Sequence, residues 1–256
     1  MSGTDVVLRT DTLVKRFGGI TATDHVTLDV RRGARHALIG PNGAGKTTLI
    51  NLLTGVLEPT SGRVELLGRD ITGLAPHKRV GLGLVRTFQI NQLFGSLTPL
   101  QSLALSVASR RDSARHWWQP MGADAAIAAE CEALLQQFRL EQHADRPTKE
   151  LPYGKRRLLE IALAVALKPT VLLLDEPAAG VPAGERADIL ATVAALPADV
   201  SVVLIEHDMD LVFSFATRLT VLVNGGVLTE GTPDEIANDA RVRAVYLGEA
   251  EFGSLV

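Results

Sequence analysis

The sequence predicts an α/β protein: a parallel sheet with crossover helices, interrupted once by a helical block. Three observations carry this. Short apolar, β-branched runs alternate with helical patterns from Thr170 onward. An apolar run, a glycine-rich loop and a helical pattern follow one another at "RHALIGPNGAGKTTLINLLTG". Between about residues 90 and 165 the strand-like runs vanish and apolar residues recur at helical spacing.

Taken in order, "VVLRT", "LVKRF" and "HVTLDV" read as short strands, followed by "RHALIG". After the glycine loop, "KTTLINLLTG" reads as a helix closed by Gly55. "SGRVELLG" is a strand between turn residues, and "GLVRTFQ" a buried strand ending near Phe88. "TPLQSLALSVASR" opens with Thr98 in the N-cap position and Pro99 after it, a helix start. "ADAAIAAECEALLQQFRL" and "GKRRLLEIALAVALK" are the other helices of the block. Then come "TVLLLDEP", "GERADILATVAAL", "SVVLIEHD", "LVFSFATR" and "LTVLVNGG", strands and helices by turns. The whole of 1–256 reads as a single domain, with a core of about 1–89 and 166–256 and a helical subdomain of about 90–165.

Bulk properties narrow the function. The 256 residues are 46% hydrophobic and 21% charged, with net charge −3, which suits a globular chain with a sizeable core. That balance lacks the basic excess of a nucleic-acid binder, so no nucleic-acid partner is expected. The single cysteine, Cys131, excludes an internal disulfide and a cysteine-based zinc cluster, and reads as a small apolar filler on a helix. The first residues lack the continuous apolar region of a signal peptide. No run reaches the roughly 18 to 20 apolar residues of a spanning helix. A cytosolic address is expected, and any membrane crossing would belong to another chain.

Gly40 to Thr47 fits G-x-x-x-x-G-K-[ST] in full. Glycines let consecutive backbone N–H groups converge on a phosphate without Cβ clashes. The helix that begins near Lys46 adds its positive end. Lys46 suits the β and γ phosphates, and the Thr47 hydroxyl suits Mg²⁺. Phosphoryl transfer also needs a further metal ligand and a group that orients water. "TVLLLDEP" delivers Asp175 for the metal and Glu176 as general base at the end of one strand.

With these residues in view, the chain resembles the ATP-binding subunit of an ABC transporter. "GPNGAGKTT" and "LLLDEP" are usual forms of that family's nucleotide motifs, and three further elements follow in order. The resemblance implies a P-loop NTPase (RecA-like) core with an antiparallel β subdomain and an inserted helical subdomain. It implies ATP and Mg²⁺ as ligands, held by Gly40, Pro41, Asn42, Gly43, Ala44, Gly45, Lys46, Thr47 and Thr48. It gives Gln89 contact with Mg²⁺ and the attacking water, gives His207 the γ-phosphate, and makes Phe17 the aromatic that stacks on adenine. Phe17 as simple core is the alternative.

The family's L-S-G-G-Q signature, which completes the nucleotide site of an opposite subunit, falls on Leu151, Pro152, Tyr153, Gly154 and Lys155. Proline supplies neither hydroxyl nor N–H there. Gly154 and the helix end still favour an anion. Lys155 would add charge if it pointed that way, although "KRR" reads first as a solvated helix face. The family's S-A-L-D after "LDEP" is "AAGVP" here, so a dimer need not have two equal sites. The site built on this chain's own glycine loop is expected to be the stronger.

"LPYG…RRLLEIA", "EPAAG", "VRTFQ" and "IEHDMDLV" resemble one subgroup, the ATPase subunits of branched-chain amino-acid importers and their relatives for urea, amides and aromatic acids. The resemblance implies a second ATPase subunit, identical or different, two transmembrane permease subunits and, indirectly, a periplasmic solute-binding protein. It places the chain peripherally on the cytoplasmic face of the inner membrane. The alternatives are a lipopolysaccharide-type exporter ATPase, a non-transport ABC ATPase, and a nucleotide-binding regulator without turnover. Trp117 and Trp118 either anchor a partner or close a local core.

Overall fold

The computed structural model describes residues 5–87, 93–111 and 124–246. Gln89, Phe88, Trp117, Trp118 and the last ten residues lie outside them.

An antiparallel sheet forms first. β1 (Val6–Phe17) pairs with β2 (Ile20–Arg31) and with β4 (Ser61–Leu66), and β5 (Arg69–Asp70) adds an edge, giving the order β2-β1-β4-β5. Where the sequence suggests two short strands, "VVLRT" and "LVKRF", there is one. Asp11 and Thr12 are absorbed as an irregularity between Thr10 and Leu13, with Thr12 at φ 46°.

The second sheet has the order β10-β9-β3-β8-β7-β6. Its strands are β3 (Arg35–Ile39), β6 (Leu84–Arg86), β7 (Val171–Asp175), β8 (Ser201–Ile205), β9 (Arg218–Val223) and β10 (Gly226–Gly231). Five strands run parallel, and β7 and β8 are buried at every position. Helices on both faces of a parallel sheet require such unbroken apolar runs. The last pair departs from the parallel expectation. Asn224 and Gly225, at φ 49° and 82°, make the tight turn of an antiparallel hairpin. On β3, His36 is buried with Nε2 at 2.8 Å from Thr220 Oγ1, and burial pushes its pKa down to about 4.

Among the described residues, three α-helices fall between β6 and β7 in the chain. α3 (Pro99–Arg110) starts at a full capping box between Thr98 and Gln101. α4 (Ala125–Gln137) is capped by Asp124 and buries Cys131. α5 (Tyr153–Ala166) packs against both. Their apolar faces share one hydrophobic cluster with Leu172, Leu174, Val202 and Leu204 of the parallel sheet. The helices beyond β7, α6 (Ala183–Ala194), α7 (Met209–Phe215), α8 (Pro233–Asn238) and α9 (Ala240–Tyr246), complete that cluster. A second cluster joins the antiparallel sheet to α1 (Lys46–Thr54), the helix after the glycine loop.

Arg79 lies on α2 (Pro76–Gly81) and is 1% exposed. Its guanidinium donates to the carbonyls of Leu52, Leu53, Thr72 and Leu74 at 2.7–2.9 Å. Leu52 and Leu53 are in the last turn of α1, so the cation sits at the negative end of the helix that begins at the glycine loop. Arg79→Met would take the guanidinium from four carbonyls, of which Leu52 O keeps the Gly55 N–H at 3.2 Å. It should cost about 3 kcal/mol, a fall of roughly 6–12 °C in thermal midpoint by calorimetry, with Arg79→Lys intermediate.

Candidate functional site

The register of three adjacent strands builds the site. Leu38 of β3 and Asp175 of β7 both pair with Ile205 of β8. The chain therefore leaves one sheet edge at Gly40, at Glu176 and at Glu206, side by side. Loops past the C-terminal ends of parallel strands are where such sheets bind ligands.

The glycine loop is wedged between backbone from both sheets. Gly45, at φ 99°, is the N-cap of α1, and a Cβ there would lie 2.4 Å from the Ala22 carbonyl oxygen of β2. A Cβ on Gly40, at φ 152°, would meet the Leu222 carbonyl oxygen at 2.2 Å. The β9–β10 corner closes the wedge: Gly225 N donates to Ala44 O, and Asp24 N to Gly225 O. No side chain caps α1, and a helix start of that kind suits an anion. Lys46 opens the helix, and its Nζ donates to the carbonyls of Gly40 and Pro41, folded over the loop. Asn42 and Thr47 are exposed, Thr48 is half-buried, and Ala44 is packed inside.

Asp175 ends β7 with a buried carboxylate, and Arg86 Nη2 donates to it at 2.6 Å while Nη1 donates to Asn51 of α1. Glu176 follows at φ 47°, a left-handed conformation that costs a non-glycine residue of order 1 kcal/mol. Its N–H is held by Ile205 O at 2.9 Å. His207 lies beyond β8, its side chain 62% exposed, with Nδ1 3.9 Å from Glu176 Oε1 and 3.8 Å from Glu206 Oε2. Glu206 is buried, and its carboxylate accepts from Ala178 N at 3.0 Å. Burial pushes its pKa up, and the Ala178 N–H acts against that shift. Phe17 ends β1 with 47% exposure, and Lys15 Nζ stands 5.1 Å from the ring centroid, so it is no core residue.

The structure thus gathers the Gly40–Thr48 loop, Asp175, Glu176 and His207 at one edge; Gln89 lies outside the described residues. The segment 151–155 is at the start of α5. Leu151 is buried, and Pro152 occupies the N-cap without a side-chain bond. Tyr153 Oη donates to Ala179 O at 3.1 Å. A Cβ on Gly154 would meet Glu185 Oε2 of α6 at 2.2 Å, so the end of that side chain would have to swing aside. That carboxylate has the sign the helix start favours. Lys155 turns away, donating to Arg139 O in the helical block, rather than adding charge at the helix start. The solvated face expected for "KRR" fails at its third member. Arg157 is 1% exposed and donates to the carbonyls of Asp175, Glu176 and Pro177, and to Glu160. Arg86, Arg157 and Glu206 are the site neighbours that sequence reasoning missed. The one available signal was an arginine in register with the apolar stripe of α5.

The ABC transporter family profile matches residues 23–179, and a profile described as branched-chain amino acid ATP-binding cassette transporter matches residues 227–251. The chain is 40% identical over 253 residues to the high-affinity branched-chain amino acid transport ATP-binding protein BraF of Pseudomonas aeruginosa. That alignment covers 95% of this chain and 98% of the relative. It is 37% identical over 259 residues to LivG of Escherichia coli K12, with the same two coverages. Among solved structures, a nucleotide-free ATP-binding cassette of an ABC transporter superposes with TM-score 0.81 and 32% identity, covering 95% of this chain and all of the other. An ADP conformation of such a cassette gives 0.83 and 33%, covering 95% and 99%.

Proposed function

The chain belongs to the ABC transporter family as an ATP-binding, ATP-hydrolysing cassette, and from that premise we propose that it energises import of branched-chain amino acids or related small solutes. The observation that carries the reading is the meeting of the glycine loop, Asp175–Glu176 and His207 past three adjacent parallel strands. The solute class rests on the names of relatives matched along nearly the full chain, and on the second profile. Urea, amides and aromatic acids remain in the solute class as related small solutes.

The chemistry follows from the residues. The N–H groups of residues 43–47 and the Lys46 ammonium hold the phosphate chain of ATP. The hydroxyl of Thr47 and the carboxylate of Asp175 are hard oxygen donors of the kind Mg²⁺ takes alongside phosphate oxygens. Among the described residues no group of three His, Cys, Asp or Glu competes as a protein-only cage. When bound, Mg²⁺ would neutralise charge on the β and γ phosphates. Glu176 takes a proton from the attacking water, and His207 meets the γ-phosphate oxygens from β8. Phe17 offers its exposed ring to adenine. Gln89, though outside the described residues, keeps its assignment to water and metal.

We assign the core to about 1–89 and 166–256 and the helical subdomain to about 90–165. The segment 151–155, with the Lys155 side chain turned away, faces the nucleotide of a second cassette, the same chain or a different one. ATP then holds the pair closed, and hydrolysis opens it, because only the closed state contacts the γ-phosphate twice. No described helix is long and apolar enough to cross a membrane. Two permease subunits supply the crossing, a periplasmic binding protein supplies the solute, and the chain sits on the cytoplasmic face.

Copurification with the permeases, followed by ATPase assays on vesicles with the binding protein, tests this. ATP hydrolysis should rise several-fold when leucine, isoleucine or valine loads the binding protein. Stimulation by none of these, nor by urea, amides or aromatic acids, would remove the importer assignment and favour the exporter-type alternative.

A further inference from the structure

Five consecutive residues behind the sheet edge are gripped by side chains. Arg157 of α5 donates to Asp175 O at 3.1 Å, Glu176 O at 2.7 Å and Pro177 O at 2.8 Å. Glu206, beyond β8, accepts from Ala178 N at 3.0 Å. Tyr153, also of α5, donates to Ala179 O at 3.1 Å. The next residue, Gly180 at φ 73°, lies under the same ring, and a Cβ there would meet Tyr153 Oη at 2.9 Å. Within this grip Glu176 keeps its left-handed backbone, which only over-determined surroundings sustain.

Two features make this more than packing. A buried guanidinium can be satisfied by fewer groups, yet this one spans three successive peptide carbonyls, one of them that of Glu176. Its charge is balanced within the same helix by Glu160 at 2.7 Å, so the fork is held before it reaches the loop. Tyr153 stands in the segment read as serving an opposite cassette, but its hydroxyl is spent on this chain's own loop.

We propose that Tyr153 and Arg157 are positioning residues that transmit the placement of α5 to Glu176. A shift of the helix start, which the second cassette's nucleotide contacts, moves the carbonyls of residues 175–179 with it. The carboxylate that meets this chain's own nucleotide moves too. This deepens the ATPase reading and rests on it.

The test uses full-length protein in the assembled transporter. Tyr153→Phe removes one hydroxyl and keeps the ring; Arg157→Lys keeps the charge but replaces the fork with a single nitrogen. Misplacing a reacting group by a fraction of an ångström should lower kcat about threefold to tenfold for Tyr153→Phe, and more for Arg157→Lys. KM for ATP and the affinity for a non-hydrolysable analogue should stay within about twofold, because the groups altered, the Tyr153 hydroxyl and the Arg157 guanidinium, are spent on carbonyls of residues 175–179 rather than on a nucleotide. A merely structural role would lower the thermal midpoint and leave kcat per folded molecule unchanged. That result, or KM rising in step with any loss, overturns the proposal. If Arg157→Lys fails to fold, Tyr153→Phe decides alone. Lys46-dependent turnover that ignores Tyr153→Phe sinks this inference only; wild-type protein without Lys46-dependent turnover sinks the ATPase reading as well.

Discussion

Lys46→Ala is expected to leave a folded protein that no longer turns over ATP. The Lys46 ammonium already bonds two loop carbonyls, those of Gly40 and Pro41, so the side chain is preorganised where the phosphates enter. It is a charge-assisted donor in a pocket whose other donors are neutral N–H groups. Removing one preorganised donor from developing negative charge typically costs 10²–10³ in rate, and a full cation at the transferred phosphate belongs at the upper end or beyond. Affinity for ATP should fall as well, since the lysine also contacts the ground state. Equilibrium binding of a fluorescent ATP analogue and steady-state ATPase assays measure the two losses. Folding should be untouched, because α1 keeps its buried Leu49, Ile50, Leu52 and Leu53. Turnover within tenfold of wild type would contradict the assignment of Lys46.

Glu176→Gln should separate binding from chemistry. The amide is isosteric, so the backbone bond from Glu176 N to Ile205 O and the grip of Arg157 on its carbonyl persist. What disappears is a proton acceptor beside the attacking water, worth about 10²–10⁴ in kcat. Nucleotide affinity should change little, so the variant should accumulate the ATP-bound, closed pair. Size-exclusion chromatography with ATP and Mg²⁺ would then show a persistent dimer, or a trapped assembly with a partner cassette, where wild type shows a transient one. Rapid hydrolysis by the variant would transfer the role of base to another group.

Much of this arrangement was legible in the residues. "GPNGAGKTT" needs glycines at positions where backbone crowds within 2.5 Å, and Gly40 and Gly45 meet that need against Leu222 and Ala22. "TVLLLDEP" announces a buried strand that ends in carboxylates because a doubly covered strand admits polar groups only at its ends. The hairpin at Asn224–Gly225 was also written plainly, as the Asn-Gly pair of a type I′ turn, but the alternation of strands and helices suggested a continuing parallel order. Arg157 was hidden for a different reason. In "KRR", Lys155 and Arg156 are half-buried at the surface of α5, and only the third member turns inward. Its partners are backbone carbonyls near residue 176, which have no residue identity and leave no trace in a sequence. Tyr153 was equally hidden, because its partner is also a carbonyl. The fusion of "VVLRT" and "LVKRF" depends on pairing with β2 and β4 on both sides, a tertiary matter that local runs do not encode.

The corner formed by Asn224 and Gly225 bears on how the gene tolerates change. It is far along the chain from the glycine loop, yet its Gly225 N–H holds Ala44 and its carbonyl holds Asp24. An insertion there, harmless in most hairpin tips, would pry open the cradle from behind. In a saturation screen scored by uptake, codons 224 and 225 would therefore group with codons 40 to 47 among the intolerant ones, a kinship invisible along the linear map.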